Sequence, residues 1–338
     1  MTFWRIGVVL SALLVATIWL SAQESTLQMS VNSALLPLEV RVKDSGGRSV
    51  LDLKQADFEI YEDGVLQETR YFALADAPRS TMLIFDRSAS AEQQDSFMLE
   101  AIRVFTRTVR PSDRVGIFSF AIELEVRLKW QAIGSGNFPV VKMPPTQSWS
   151  AVYESIERAD KRFDNEKGRK GIIMLTDGQD SELFKDTQRL GGVLAVEKDS
   201  NFQKYLQKIR KRNIPVYFVA LPADPRAEFA FLNGSEYRLS SDYRNSGMRS
   251  PTVGMDYVLA ARRRIEKIAE ATGGRVLPSP RLEDVASFYE RIARELGESY
   301  GLGYMPAKVV EGGNYRRIEV RVRRPGFVVT QSRDGFQP

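Results

Sequence analysis

Thr81-Met82-Leu83-Ile84-Phe85-Asp86-Arg87-Ser88-Ala89-Ser90 is the stretch on which the reading of the fold turns. Met82 to Phe85 is an unbroken apolar run that stops at a carboxylate. A strand with apolar side chains on both faces must be covered on both faces, the situation of a parallel strand between two helical layers. Further along the pattern recurs: Gly171-Ile172-Ile173-Met174-Leu175-Thr176 is again doubly apolar and again ends in aspartate, Asp177.

The segments around these two strands alternate helix and strand patterns. Ala91 to Val109 carries Phe97, Ile102, Phe105 and Val109 at helical spacing. Val115–Phe120 and Glu125–Trp130 are close enough to pair as a hairpin, and a helix is expected from Ala151 to Lys161. Beyond Asp177 follow a helix at Phe202–Arg212, a strand at Ile214–Leu221, a helix at Asp256–Ala271, a short strand at Arg275–Leu277 and a helix at Leu282–Leu296. Apolar strands alternating with amphipathic helices specify an α/β fold, a doubly wound, mostly parallel sheet with helices on both faces. This unit is expected over residues 77–298.

The flanks have a different style. Leu38-Glu39-Val40-Arg41-Val42-Lys43 alternates strictly, as a strand with one wet face does. Phe58–Tyr61 leads into the turn pair Asp63-Gly64, and Arg70–Leu74 reads as a third strand. Near the other end Ile318, Val320 and Val322 alternate with charged residues, and Phe327-Val328-Val329 follows Pro325-Gly326. Neither flank alone encloses a good core. Residues 34–76 and 299–338 are therefore expected to form one small β domain into which the α/β unit is inserted, two separate appendages being the alternative.

Composition narrows the chemistry. The 338 residues include neither histidine nor cysteine. That removes the commonest general base, the commonest transition-metal ligand, thiol nucleophiles and disulfides together. What is left suits a hard, oxygen-seeking cation such as Mg²⁺, Mn²⁺ or Ca²⁺. The net charge is +5, with basic residues interspersed among acidic ones as in Arg262-Arg263-Arg264-Ile265-Glu266-Lys267. A nucleic-acid binder concentrates them on one face, so no nucleic-acid partner is expected. At the N-terminus, Arg5, the apolar stretch Ile6–Leu20 and the small residues Ser21-Ala22 read as an export signal over residues 1–22. An uncleaved anchor is the alternative, since Leu20 is a mediocre residue three positions before the proposed cut. Membrane attachment is expected only in that case. Either way the remainder is exported, to the periplasm, the cell envelope or the medium.

In an open parallel sheet, ligands bind outside the carboxyl ends of the strands. Asp86 and Asp177 would both arrive there, and two carboxylates share a small space cheaply only with a cation between them. Asp86, Ser88 and Ser90 alternate, so an extended turn aims all three side chains one way, and hydroxyls are neutral oxygen donors suited to Mg²⁺. With few negative ligands the metal keeps positive charge and an open position for a partner's carboxylate. The competing reading is that Asp86 caps the following helix while Ser88 and Ser90 form a turn.

Asp86-Arg87-Ser88-Ala89-Ser90 resembles the D-x-S-x-S signature of the metal-ion-dependent adhesion site of von Willebrand factor type A (VWA) and integrin I-type domains. Leu175-Thr176-Asp177-Gly178-Gln179-Asp180-Ser181 is similar to that family's second aspartate loop. The threonine the family places before a short helix corresponds to Ser150 in Trp149-Ser150-Ala151-Val152-Tyr153, with Ser148 a neighbouring candidate. Phe58–Gly64 and Tyr315–Gly326 resemble segments of bacterial secreted "VWFA-related" proteins, so the likeness spans nearly the whole mature chain. It implies a VWA, Rossmann-like fold and a metal site in which Ser88, Ser90 and Ser150 bind directly and Asp86 and Asp177 directly or through water. It also implies a non-enzymatic role in metal-dependent protein binding, adhesion or envelope assembly, the cation gripping an acidic side chain of the partner.

Arg87 departs from the favourable pattern by bringing positive charge near the cation: it is expected to point outward to solvent or to pre-position an acidic partner, the alternative being an inward orientation that would weaken the site. Phe138–Trp149, Glu182–Ser200 and Pro222–Met255 are expected as loops flanking the metal. The last carries Phe229, Phe231, Tyr237 and Tyr243 as candidate partner anchors. Two other functions compete: a metal-free scaffold, and a metal-assisted hydrolase centred on Asp86 and Asp177. The hydrolase normally needs a nearby base for its water, and no histidine is present. Gly301-Leu302-Gly303 is too short and misplaced for a phosphate loop.

Overall fold

The structure, a computed structural model, describes residues 35–88, 94–135, 139–145, 150–166, 168–190, 195–212, 214–221, 251–306 and 313–336. The expected export signal (1–22), Ser90, Ser148 and the aromatic residues of 222–250 lie outside the described residues. Among the described residues, no helix is long and apolar enough to cross a membrane.

The two apolar runs become adjacent central strands. Strand β5 (Arg79–Asp86) pairs in parallel with β8 (Arg169–Thr176), Met82 opposite Ile172 and Phe85 opposite Leu175. Around them lie β6 (Arg114–Phe120), β7 (Leu124–Ala132), β9 (Val216–Ala220) and β10 (Val276–Pro278), in the order β10-β9-β8-β5-β6-β7. All pairings are parallel except β6 with β7, the expected hairpin. Every residue of β5 is buried, whereas β7 lies at the edge and exposes Glu125 and Lys129, charges that discourage further strand pairing.

Alternation along each strand sorts the side chains between two helical layers. Met82, Ile84, Ile172 and Met174 face α2 (Val152–Lys161), α4 (Ser200–Arg210) and α5 (Pro251–Thr272), meeting Ile156, Phe202, Leu206, Ile265 and Ile268. Leu83, Phe85, Ile173 and Leu175 face α1 (Asp95–Thr108) and α6 (Val285–Gly297), meeting Met98, Ile102, Phe105, Tyr289 and Ile292. The Tyr289 ring stacks on Phe85 at 5.9 Å and meets Phe105 edge-on at 6.3 Å. Each such fully buried large side chain contributes about 1.5–3 kcal/mol, which is why both faces of the apolar strands require a helical cover.

Strands from the two ends of the chain pair with each other. In one antiparallel sheet, β1 (Leu36–Lys43) lies between β13 (Val328–Gln331) and β11 (Ser299–Tyr304), with β4 (Thr69–Ala73) beyond β11. In the other, β12 (Arg316–Val322) lies between β14 (Gly335–Phe336) and β2 (Phe58–Glu62), with β3 (Val65–Gln67) beyond β2. One core serves both: Leu38, Val40, Phe58, Ile60, Tyr300, Leu302, Ile318 and Val320 form a single cluster.

One expectation is corrected. Glu182–Ser200 is not a loop: α3 (Ser181–Leu190) occupies its first part and α4 begins at Ser200. The Asp180 carboxylate accepts the Glu182 N–H at 2.9 Å, and Leu183 packs with Tyr257 and Ala261 of α5. Capping and tertiary contact thus stabilise a helix whose own sequence is mostly polar. Gly301-Leu302-Gly303 lies in the strand β11. A Cβ on Gly301 would stand 3.0 Å from the Tyr71 ring, so glycine permits the close approach of β4 that builds this sheet.

A buried ionic cluster joins the lower edge of the α/β sheet to β1. The Glu39 carboxylate accepts hydrogen bonds from Arg79 at 3.3 Å, from Arg169, and from the Ser299 hydroxyl at 2.7 Å. Burial alone would raise its proton affinity, but the facing Arg169 and Arg79 guanidiniums outweigh that and hold Glu39 below the usual carboxylate value.

Candidate metal centre

Asp86 is the last residue of β5 and is buried, 3% exposed. One carboxylate oxygen, Oδ1, accepts the backbone N–H of Ser88 at 2.8 Å, the hydrogen bond of an Asx turn. The other, Oδ2, accepts the Thr176 hydroxyl at 2.6 Å and the Ser150 hydroxyl at 3.4 Å. The Ser88 hydroxyl also bonds to this carboxylate. Three strand ends or loops therefore place a hydroxyl on one buried acid. The helix-capping reading of Asp86 does not hold, because α1 begins at Asp95 and its N-cap is Gln94.

Asp177 follows β8 directly and is buried. Its Oδ1 accepts the Gln179 N–H and its Oδ2 the Gln179 side-chain amide, both at 2.9 Å. Gly178 adopts φ +83°, and its N–H returns to the Thr176 hydroxyl at 3.0 Å, closing the turn. A side chain here would be strained by that φ and would also crowd Ile265. Burial first, and the Asp177 charge second, push the Asp86 carboxyl up to about 7 despite the hydrogen bonds from Thr176 and Ser88. The two acids are thus close enough to oppose each other's ionisation.

Of the sequence-predicted ligands, Asp86, Ser88 and Ser150 are brought into direct hydrogen-bond contact, and Asp177 stands within electrostatic reach of them. Ser90 lies outside the described residues. Two further buried groups escaped the sequence reading. Thr176 bridges Asp86 and the Gly178 turn. Asp180 accepts N–H groups from Tyr153 in α2 and Glu182 in α3, and burial pushes its carboxyl up to about 6. Ser181 completes a latch: its hydroxyl accepts the Ser150 N–H at 2.9 Å, while its own N–H donates to the Ser150 carbonyl at 2.8 Å. Both residues were visible in Thr176–Ser181, but nothing in a linear turn sequence tells which side chains point inward.

Arg87 corrects another expectation. It is buried, 5% exposed, and does not point to solvent. Its guanidinium donates to Asp95 at 2.5 Å and to the Pro144 carbonyl at 2.9 Å, and touches the Met98 sulfur at 3.6 Å. Its charge is thereby engaged by α1 and the 139–145 segment.

The donor set fits a hard divalent cation in kind: it is all oxygen, with two opposed carboxylates whose repulsion a cation would relieve and neutral hydroxyls beside them. Among the described residues no group of three or more acidic, histidine or cysteine side chains is placed to hold a metal ion. A metal here would depend on two acids and on alcohols, leaving it a substantial residual charge.

No protein-family model and no curated protein matches this chain in sequence. Solved structures of VWA-domain and related bacterial proteins do match in fold. One is a von Willebrand factor type A protein from Catenulispora acidiphila, at 11% identity and a TM-score of 0.43, covering 90% of this chain and 73% of that one. Another is an aerotolerance-related membrane protein from Bacteroides fragilis, at 16% identity and a TM-score of 0.40, covering 64% and 98%. A third is proximal thread matrix protein 1 from the mussel byssus with a zinc-occupied MIDAS motif, at 12% identity and a TM-score of 0.41, covering 69% and 49%. The likeness is one of architecture, and no residue's role passes through it.

Proposed function

We propose that this chain is an exported, non-enzymatic protein-binding module that uses a divalent cation, Mg²⁺ foremost, to grip an acidic side chain of a protein partner. Asp86, Ser88, Ser90, Ser150 and Asp177 hold the ion. One observation carries this reading: a buried carboxylate at the sheet's rim, pushed up to about 7 by burial and by a second carboxylate, is ringed by hydroxyls from separate loops. Such an arrangement is unfavourable when both acids are ionised and is relieved by a cation. Because the neutral donors leave charge on the ion, it attracts an anionic group from outside. Ile122 and Val140, exposed on segments joined to this rim through Ala121–Ala151 and Arg87–Pro144 hydrogen bonds, offer apolar contacts around it. Export rests on the N-terminal segment 1–22.

Calorimetric titration with Mg²⁺ and Mn²⁺ tests the ion, and capture of envelope proteins with Mg²⁺ or with EDTA tests the partner. Heat of binding that is lost in Asp86→Ala, together with EDTA-sensitive capture lost in the same variant, is expected. Absence of heat and of thermal stabilisation by either ion overturns the metal reading.

A metal-free scaffold is the second reading, and one observation favours it. All four carboxylate oxygens of Asp86 and Asp177 already accept internal hydrogen bonds, which on their own suffice to shape the two turns. The same titration separates the two.

A further inference from the structure

At the end of the sheet opposite the metal centre, a cleft of about 100 Å³ lies where the start of β9 and the residue before β10 meet β1 and β13. Arg41, Tyr217, Arg275, Glu295, Thr330 and Ser332 line it. Arg41 stands directly opposite Thr330 in the pairing of β1 with β13, so the two side chains share one face.

Three arginines share one acid here. The Glu295 carboxylate meets Arg41 at 3.4 Å and Arg291 at 3.8 Å through one oxygen, and Arg275 through the other. Glu39, the second acid of the lining, is already taken by Arg79, Arg169 and Ser299. The Arg41 side chain is 26% exposed; it makes no hydrogen bond among the described residues, and none of its nitrogens is sealed from solvent. Arg275, 37% exposed, gives one terminal nitrogen to Glu295 and leaves Nη1 open in the same way. Tyr217 is 6% exposed, and its hydroxyl also makes no hydrogen bond among the described residues. Unlike the Tyr289 hydroxyl it is not sealed off, so it opens into the cleft. Burial, and the Glu39 charge after it, push its ionisation upward, so it keeps its proton and donates. The carbonyl end of α5, which would repel an anion, is occupied: Ala269 accepts the Gly273 and Gly274 N–H groups, and Ala271 accepts Arg333. Two guanidiniums and a phenol therefore converge from separate elements with donors to spare. A planar carboxylate offers them oxygens in one plane only, whereas a tetrahedral oxyanion offers acceptors in several directions and charge enough for two arginines.

We propose that this cleft binds a tetrahedral oxyanion of phosphate size, free phosphate or the phosphomonoester end of a small organic molecule, held by Arg41, Arg275 and Tyr217. This site is separate from the metal centre and does not depend on it.

The test uses inorganic phosphate and phenyl phosphate as probes and acetate as control, each titrated by calorimetry and ligand-observed NMR at constant ionic strength on the full chain. The protein is stripped of metal with EDTA and then dialysed, so that neither a metal-held anion nor the chelator contributes. Both phosphates are expected to bind in the millimolar range or tighter, and acetate at least about fivefold more weakly. The tighter phosphate identifies the source, free ion or organic monoester. Arg41→Gln and Arg275→Gln each weaken phosphate about fivefold or more, and Tyr217→Phe, which keeps the ring in the core, weakens it about threefold. Glu295→Gln removes the internal competitor for the arginines and tightens phosphate about threefold, a gain that damage to the fold does not produce. Asp86→Ala leaves phosphate binding unchanged, which separates this site from the metal reading. Acetate binding as tightly as phosphate, wild-type affinity in both Arg41→Gln and Tyr217→Phe, no tightening in Glu295→Gln, or no binding of either phosphate at about 10 mM overturns the proposal.

Discussion

Replacing Asp86 by asparagine in metal-free protein tests the electrostatics of the rim without changing its shape. The carboxyl moves from 3.8 in the unfolded chain to about 7 in the fold. Since each pH unit of such a difference is worth about 1.4 kcal/mol, the linkage amounts to about 4 kcal/mol. Its sign follows from the direction. Below the unfolded value both states carry the proton and the fold bears no penalty. As pH rises, the unfolded chain releases its proton first, so stability is lost progressively until the pH passes the folded value near 7. Asparagine carries no titrating proton, so the variant lacks this slope. It also presents an N–H₂ to one of the donors that Asp86 now accepts, a cost of about 1–3 kcal/mol at every pH. Urea denaturation in EDTA at pH 5 and pH 8 separates the two effects. The wild type is expected to lose about 2–4 kcal/mol more than Asp86→Asn between those values. Saturating Mg²⁺ is expected to restore the wild type at pH 8 and to leave the variant unchanged. A stability difference between the two proteins that stays constant from pH 5 to pH 8 refutes the inference that burial and Asp177 oppose ionisation of Asp86.

The remaining expectations concern the supports of the site. Thr176→Val removes the hydroxyl that bonds both Asp86 and the Gly178 N–H; a loss of about 1–3 kcal/mol in urea denaturation and weaker Mg²⁺ heat are expected. Asp180→Ala strips the acceptor shared by the first turns of α2 and α3. A loss of about 1–2 kcal/mol should come with reduced Mg²⁺ affinity, read by calorimetry, because the loop bearing Ser150 is no longer latched. Glu39→Gln leaves Arg79 and Arg169 facing each other without a counter-charge. A loss of about 3 kcal/mol or more at neutral pH is expected. In the wild type this contribution should fade on acidification through the lowered Glu39 value, which a pH series of melting curves on both proteins checks.

The elements that were legible in the sequence are those whose periodicity is dictated by local burial. Met82–Phe85 and Ile172–Leu175 could be placed between helical layers because an apolar side chain on each face leaves no other arrangement. Leu38–Lys43 and Ile318–Val322 read as half-buried strands because they alternate. Strand β11 was hidden by its glycines, which are poor strand formers and are used here for close approach of a neighbour. Helix α3 was hidden because its stability comes from Asp180 and from contact of Leu183 with α5, not from its own polar sequence.

The same division runs through the candidate site. The chain's residue order determined which oxygen ligands arrive at the sheet's rim, since Asp86 and Asp177 each end a buried parallel strand, and the absence of histidine and cysteine limited the chemistry to hard donors. Only the tertiary structure decided which hydroxyls reach Asp86, that Arg87 turns back onto Asp95, and that Glu39 of the first strand meets Arg169 of the central sheet. The physical reason is that local periodicity reports which face of an element is buried, whereas side-chain partners far apart in sequence are set by how the elements pack, information that no single segment contains.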